Sequence, residues 1–301
     1  MTEPALNHVS CPDVSASHRM AYWQWGQPDA GHVVLCVHGL TRQGLDFDVL
    51  ARALCERAQR AGTAIRVVCP DVAGRGQSDW LADPAGYQVG QYAADMLVLL
   101  AQLKPTTLDW VGTSMGGLIG MAVCGQPELP LPVPVRKLVL NDVGPVLQWE
   151  ALQRIGTYLG RTGRFASVQQ AADALWATSS SFGAHTPAQW LALSTPMVKP
   201  MAGEPGLLEL HYDPAIALSF RSLTPESALQ GEAALWQLYD RIQAETLLIR
   251  GEHSDLLSFE TAQRMTERGP KARLVTFDGV GHAPTFVVQS QVDTLADFLF
   301  P

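Results

Sequence analysis

The chain has 301 residues, 47% of them hydrophobic and only 17% charged, a balance that builds a sizeable core and excludes an intrinsically disordered polypeptide. A formal net charge of −8, with no Lys/Arg cluster, argues against a nucleic-acid partner, because phosphates require a basic surface. Five scattered cysteines, an N-terminus without the basic and apolar regions of a signal peptide, and no apolar run of bilayer length predict a reduced, cytoplasmic protein without membrane insertion.

In chain order, residues 18–25 alternate polar and apolar and stop at Gly26-Gln27-Pro28-Asp29, which predicts a strand and a turn. Val33 to Val37 is a continuous apolar run ending at His38-Gly39, the pattern of a strand buried on both faces. Residues 45–60 have helical spacing, and Ala64 to Cys69 is a second buried-strand run, closed by Pro70-Asp71. Over 88–104 the residues Val89, Tyr92, Met96, Leu99, Leu100 and Leu103 fall on one helical stripe. The short run Leu108 to Val111 leads into Gly112-Thr113-Ser114-Met115-Gly116-Gly117 and a helix-like segment, and Lys137 to Leu140 reads as a further strand. After Asn141-Asp142-Val143-Gly144-Pro145 the alternation breaks: about 146–240 reads as helical or irregular, with no strand. It resumes with a strand over Glu245 to Arg250, a helix near 259–268, a strand over Ala272 to Phe277 and a last helix near 290–300. Alternating strands and helices predict an α/β fold, a doubly wound and mostly parallel sheet. Residues 1–145 and 241–301 form its core, and 146–240 a helical cap inserted into it.

The stretch around Ser114 carries the chemistry. Gly112-x-Ser114-x-Gly116 between a strand and a helix forces a turn so tight that the central residue is strained and its neighbours two positions away must be tiny. The turn exposes Ser114 Oγ at the carboxyl edge of a sheet, backed by the positive end of a helix dipole. A serine hydroxyl needs an imidazole to take its proton, and the imidazole needs a carboxylate to fix its tautomer. His282, on a Gly-rich loop after the last strand, can reach that edge, and His38 is its rival. Asp255 and Asp142 both follow strands, as does Asp71. The chain contains no His-Glu-x-x-His, no paired Cys-x-x-Cys, no phosphate-binding Gly-Lys loop and no dinucleotide fingerprint, so neither a metal nor a cofactor is expected.

Taken together, His38-Gly39-Leu40, Asp71-Val72-Ala73-Gly74-Arg75-Gly76-Gln77-Ser78, the Ser114 turn, Asn141-Asp142, Gly251-Glu252-His253-Ser254-Asp255 and Gly279-Val280-Gly281-His282-Ala283-Pro284 resemble the α/β-hydrolase family over nearly the whole chain. The resemblance implies a capped serine hydrolase of the carboxylesterase type, with Ser114 as nucleophile, His282 as base and Asp255 as acid, Asp142 being the alternative. It further implies an oxyanion hole from the Leu40 and Met115 N–H groups, and structural roles for His38 and the Asp71 loop. Arg42, near the mouth, is read equally as a substrate-carboxylate ligand or a loop anchor. In the cap, Trp149, Trp176, Phe182, Trp190, Tyr212 and Trp236 are candidates to line an acyl pocket. The expected partner is a small or medium ester. A C–C bond hydrolase, a lactonase, a cofactor-free haloperoxidase and a non-catalytic small-molecule receptor share the same frame.

Overall fold

A computed structural model describes residues 3–14 and 16–301. Its strands and helices, in chain order, are β1 (Ala5–Asp13), β2 (Ala16–Gly26), β3 (His32–Val37), α1 (Asp48–Arg60), β4 (Ile65–Pro70), α2 (Val89–Leu103), β5 (Thr107–Thr113), α3 (Met115–Cys124) and β6 (Val135–Asn141). There follow α4 (Trp149–Tyr158), α5 (Val168–Ser179), α6 (Pro187–Ser194), β7 (Val198–Pro200), β8 (Leu208–Leu210), α7 (Ile216–Arg221), α8 (Pro225–Asp240), β9 (Glu245–Gly251), α9 (Phe259–Glu267), β10 (Arg273–Phe277) and α10 (Gln289–Leu299).

Eight strands form one sheet in the order β1-β2-β4-β3-β5-β6-β9-β10. Strands β4, β3, β5, β6, β9 and β10 run parallel, and the β1–β2 hairpin closes one edge antiparallel. The central strands β3, β5, β6 and β9 are apolar on both faces because helices cover both, which leaves no solvent face to encode. Helices α2, α3 and α8 lie on one face with Met96, Leu100, Ile119, Trp236 and Tyr239, while α1 and α10 cover the other with Leu50, Leu54, Leu295 and Leu299. The stripe expected on α2 is the buried side of that helix, with Val89 half-buried at its end. Asp109 is a charge inside a buried strand, satisfied by Arg136 at 2.9 and 2.6 Å and by His32 at 2.7 Å.

Two elements differ from the sequence expectation. β1 was not legible, because it is an edge strand with mostly exposed side chains and no clean alternation. The insertion between β6 and β9 is helical but also holds the hairpin β7–β8, whose three-residue strands are too short to leave a periodic signal. No described helix is long and apolar enough to cross a membrane.

At the foot of the β1–β2 hairpin, Cys11, His18 and Asp95 form a buried cluster. Both His18 ring nitrogens are taken, by Asp13 at 3.1 Å and Asp95 at 3.0 Å. Burial disfavours the imidazolium, but the hydrogen bonds and charges of the two carboxylates outweigh it and raise the pKa. The cluster therefore reads as an internal ion network joining the hairpin to α2.

Candidate active site

The turn from β5 into α3 places Ser114 at φ 51° and ψ −114°, a conformation L-residues adopt only under strain. The glycines make it possible. A Cβ on Gly116 would overlap the Val37 carbonyl, and one on Gly112 would overlap the Gly116 carbonyl, so strand and helix meet only because both are bare. Ser114 N–H donates to the Asn141 carbonyl at 3.0 Å, which ties the turn to the neighbouring strand end. The Gly117 and Leu118 N–H groups donate to the Ser114 carbonyl at 2.8 and 3.1 Å, so the turn runs directly into the first turn of α3.

His282 stands on the loop after β10 with Nε2 at 2.9 Å from Ser114 Oγ. Its Nδ1 lies 2.7 Å from Asp142 Oδ2. A carboxylate only accepts, so Nδ1 carries the proton and Nε2 is the acceptor of the serine hydroxyl. Asp142 sits just past β6, at φ 57°, fully buried. Its Oδ1 accepts from Gly251 N–H at 2.9 Å, and its Oδ2 also accepts from Ser254 Oγ at 2.6 Å.

The expectation that Asp255 would serve His282 is corrected by this geometry. Asp255 forms a two-pronged ion pair with Arg154 at 2.7 and 3.0 Å, and its side chain is 45% exposed while that of Asp142 is fully covered. The reason is reach. β9 ends at Gly251, and the turn that follows directs Ser254 toward Asp142 and leaves Asp255, four residues past the strand, facing α4. Asp142 directly follows β6, the strand beside the one that delivers Ser114. The signal was present as an apolar strand ending in Asn-Asp.

Other loops brace this arrangement. His38 is buried, its Nδ1–H donating to Gly39 O at 2.7 Å and its Nε2 accepting from Val72 N–H at 2.9 Å, so it is a structural histidine. Burial first, with the nearby Arg75 and Arg42 charges adding to it, drives its pKa down to about 3. Asp71 likewise closes its own loop, accepting from Gly44 and Gln77 N–H groups at 2.7 and 2.8 Å. Arg75, fully buried, donates to the carbonyls of Leu40 and Ala73 at 2.8 and 2.6 Å and to Tyr92 at 2.9 Å, and its tip lies 3.5 Å from Met115 Sδ. It thus joins the two segments whose N–H groups were singled out. Sequence reasoning missed Arg75, and also Asn141, Ser181 and His185, which hold the His282 loop through bonds to Pro284 O (2.8 Å), His282 O (3.1 Å) and Thr285 Oγ1 (2.8 Å). Arg75 and Asn141 lie inside two of the quoted motifs but carried no role there, while Ser181 and His185 belong to no motif and left no periodic trace.

Ser114 opens on two cavities. One of about 450 Å³ is lined by Ser114, His282, Leu40, Arg42, Arg154 and Arg161 among others. The second, of about 890 Å³, is lined by Ser114, Leu40, Met115, Leu118, Phe220 and Leu235 among others. Of the residues proposed for substrate contact, Arg42, Phe182 and Tyr212 reach the smaller cavity. Arg42 is an anchor there: it grips Asp46 at 2.5 and 2.7 Å and donates to the Leu193 carbonyl of the insertion at 3.0 Å. The remaining tryptophans do not line either cavity. Trp149 borders a separate hollow of about 170 Å³ beside Leu152 and Phe220. Trp176 and Trp190 pack edge to face, 5.0 Å between ring centres, and Trp190 donates to Ala172 O at 2.8 Å, which holds α5 against α6. Trp236 faces Arg264 and Arg268 on the core side of α8. Large aromatic rings were needed to pack a small helical insertion, and packing claimed them.

Comparison with known proteins identifies the family. A family model described as "Alpha/beta hydrolase family" matches residues 34–298. A 3-hydroxybutyrate-oligomer hydrolase of Cupriavidus necator is 49% identical over 296 residues, 98% of this chain and 97% of that protein. The crystal structure of an α/β hydrolase from Novosphingobium aromaticivorans is 33% identical with a TM-score of 0.81, covering 99% of both chains. An X-ray structure from Rickettsia typhi is 26% identical with a TM-score of 0.84, covering 98% of both. With its sheet order, its strained serine turn and a family match over most of its length, this chain belongs to the α/β-hydrolase family.

Proposed function

We propose that this protein is a cofactor-independent serine hydrolase that cleaves carboxylic esters through an acyl-enzyme, and that oligomeric esters of 3-hydroxybutyrate are its substrates. The observation that carries the reading is the unbroken hydrogen-bonded line from Asp142 through His282 to Ser114. Ser114 Oγ attacks the ester carbonyl while its proton passes to His282 Nε2. Asp142 stabilises the imidazolium through Nδ1–H. The oxyanion is received by the N–H groups of Leu40 and Met115, held in place by the Arg75 clamp. His282 then returns the proton to the departing alkoxide oxygen, and a water molecule, deprotonated by the same imidazole, releases the acid and restores the serine. The helical insertion acts as a cap: Ser181 and His185 fasten it to the His282 loop, and Arg42 fastens it to the Leu40 loop.

The high identity to the Cupriavidus necator enzyme supports the substrate class. The test combines labelling by a fluorophosphonate probe, mapped to Ser114 by peptide mass, with hydrolysis of 3-hydroxybutyrate dimer and trimer beside a panel of p-nitrophenyl esters and lactones. Labelling at Ser114 with turnover of the oligomers is the expected result. Labelling without oligomer turnover would overturn the substrate class, and absence of labelling would overturn the mechanism.

A further inference from the structure

An oligomer of a hydroxy acid has a built-in polarity. At whichever ester bond it is cut, the acyl half ends in a neutral hydroxyl and the alcohol half ends in a carboxylate. The two cavities at Ser114 have a matching polarity. In the larger one, no lysine, arginine or histidine is found among the lining residues, whose charges are the carboxylates of Asp83 and Glu232. The smaller one is lined by three arginines, Arg42, Arg154 and Arg161, against the single carboxylate of Asp46.

Chemistry says which half lies where. The alkoxide that leaves must be within hydrogen-bond reach of His282 Nε2–H to receive its proton. His282 lines the smaller cavity and not the larger one, while Met115 lines the larger. The leaving half therefore occupies the arginine-lined cavity, and the acyl half the apolar one. Two of the three arginines are committed: Arg42 to Asp46 and Arg154 to Asp255. Arg161, among the described residues, has no carboxylate partner. Its backbone is nonetheless fixed, since its N–H donates to Tyr158 O at 3.1 Å and its carbonyl accepts from the buried Tyr212 hydroxyl at 3.1 Å. An exposed guanidinium that borders the cavity on a fixed backbone, with no carboxylate partner of its own, is open to a substrate carboxylate.

We propose, on the serine-hydrolase reading above, that Arg161 recognises the terminal carboxylate of the leaving hydroxy acid, so that the enzyme selects oligomers by their free acid end. In the step so directed, the Ser114 Oγ–acyl carbon bond forms and the acyl carbon–alkoxide bond breaks. The serine proton travels through His282 to the alkoxide oxygen, and the released product is a hydroxy acid whose carboxylate stays ionised throughout.

The experiment compares kcat/KM for 3-hydroxybutyrate trimer as the free acid and as its methyl ester, in the wild type and in Arg161→Gln, Arg161→Glu and Arg161→Lys. The wild type should favour the free acid about tenfold or more, an advantage that shrinks as salt is raised. Arg161→Gln should bring the acid-to-ester ratio close to one, mainly through KM. Arg161→Glu should invert it, and Arg161→Lys should restore part of it. Fluorophosphonate labelling of Ser114 in each variant reports whether the site is still assembled. An unchanged ratio in Arg161→Glu, or a wild type indifferent to methylation, would overturn the assignment while leaving the hydrolase reading intact. Failure to hydrolyse either trimer form would overturn both.

Discussion

Asp142 and Asp255 are the pair of residues that the structure separates most sharply. Both are aspartates just beyond a strand, yet one is buried against an imidazole and the other is spent on an exposed arginine. Their exchange for asparagine should part them equally sharply. Asp142→Asn keeps the shape but presents a donor or a neutral acceptor to Nδ1, and kcat should fall roughly 10⁴-fold. Asp255→Asn removes a half-exposed ion pair, and kcat should change by about threefold or less. Steady-state rates on one ester decide this, and the reverse ranking would sink the assignment. Ser114→Ala should lower kcat by about 10⁴–10⁶-fold, with the fluorophosphonate label lost.

At the scale of elements, the strand–turn–helix unit works only while strand and helix can touch. Gly116→Ala drives a methyl into the Val37 carbonyl, a backbone group that cannot swing aside. The expected cost is about 3 kcal/mol or more, read as a lowered denaturation midpoint together with lost activity. The loop after β3 makes a different prediction. His38 is held neutral, with a folded-state pKa of about 3 against an ordinary value of 6.5. Between those two values the unfolded chain binds the proton and the folded one does not. The His38 contribution is therefore complete above pH 6.5 and is lost as pH falls toward 3, at up to about 1.4 kcal/mol per pH unit. Denaturation midpoints measured from pH 7 to pH 4 should fall less steeply in His38→Gln than in the wild type.

Across the whole molecule, the hydrogen-bonded line Asp142–His282–Ser114 lies where the sheet and the helical insertion meet, and in the proposed reaction the two cavities beside it receive the acyl and the alcohol half of a substrate. Ala228 on α8 lines the larger cavity and is remote from His282 in the hydrogen-bond network. Ala228→Trp should therefore shorten the acceptable acyl chain. Among p-nitrophenyl esters, kcat/KM should drop about tenfold or more for octanoate while acetate changes little, because only the longer chain needs the filled volume. A uniform loss across chain lengths would contradict the division of the site.

Much of this protein was legible before any coordinates. Buried strands announced themselves as unbroken runs such as Val33 to Val37, because the side chains of a strand covered on both faces must all be apolar. That Ser114 and His282 would meet was legible because the serine turn needs glycines at set positions and the imidazole sits in a Gly-rich loop of its own. The choice between Asp142 and Asp255, the fate of each tryptophan, the brace formed by Arg75, and the charge asymmetry of the two cavities were not. Those depend on which strand ends are neighbours and which way a turn points its side chains. Such facts join residues more than a hundred positions apart, as with Asp142 and His282, and are decided only when the sheet order is assembled.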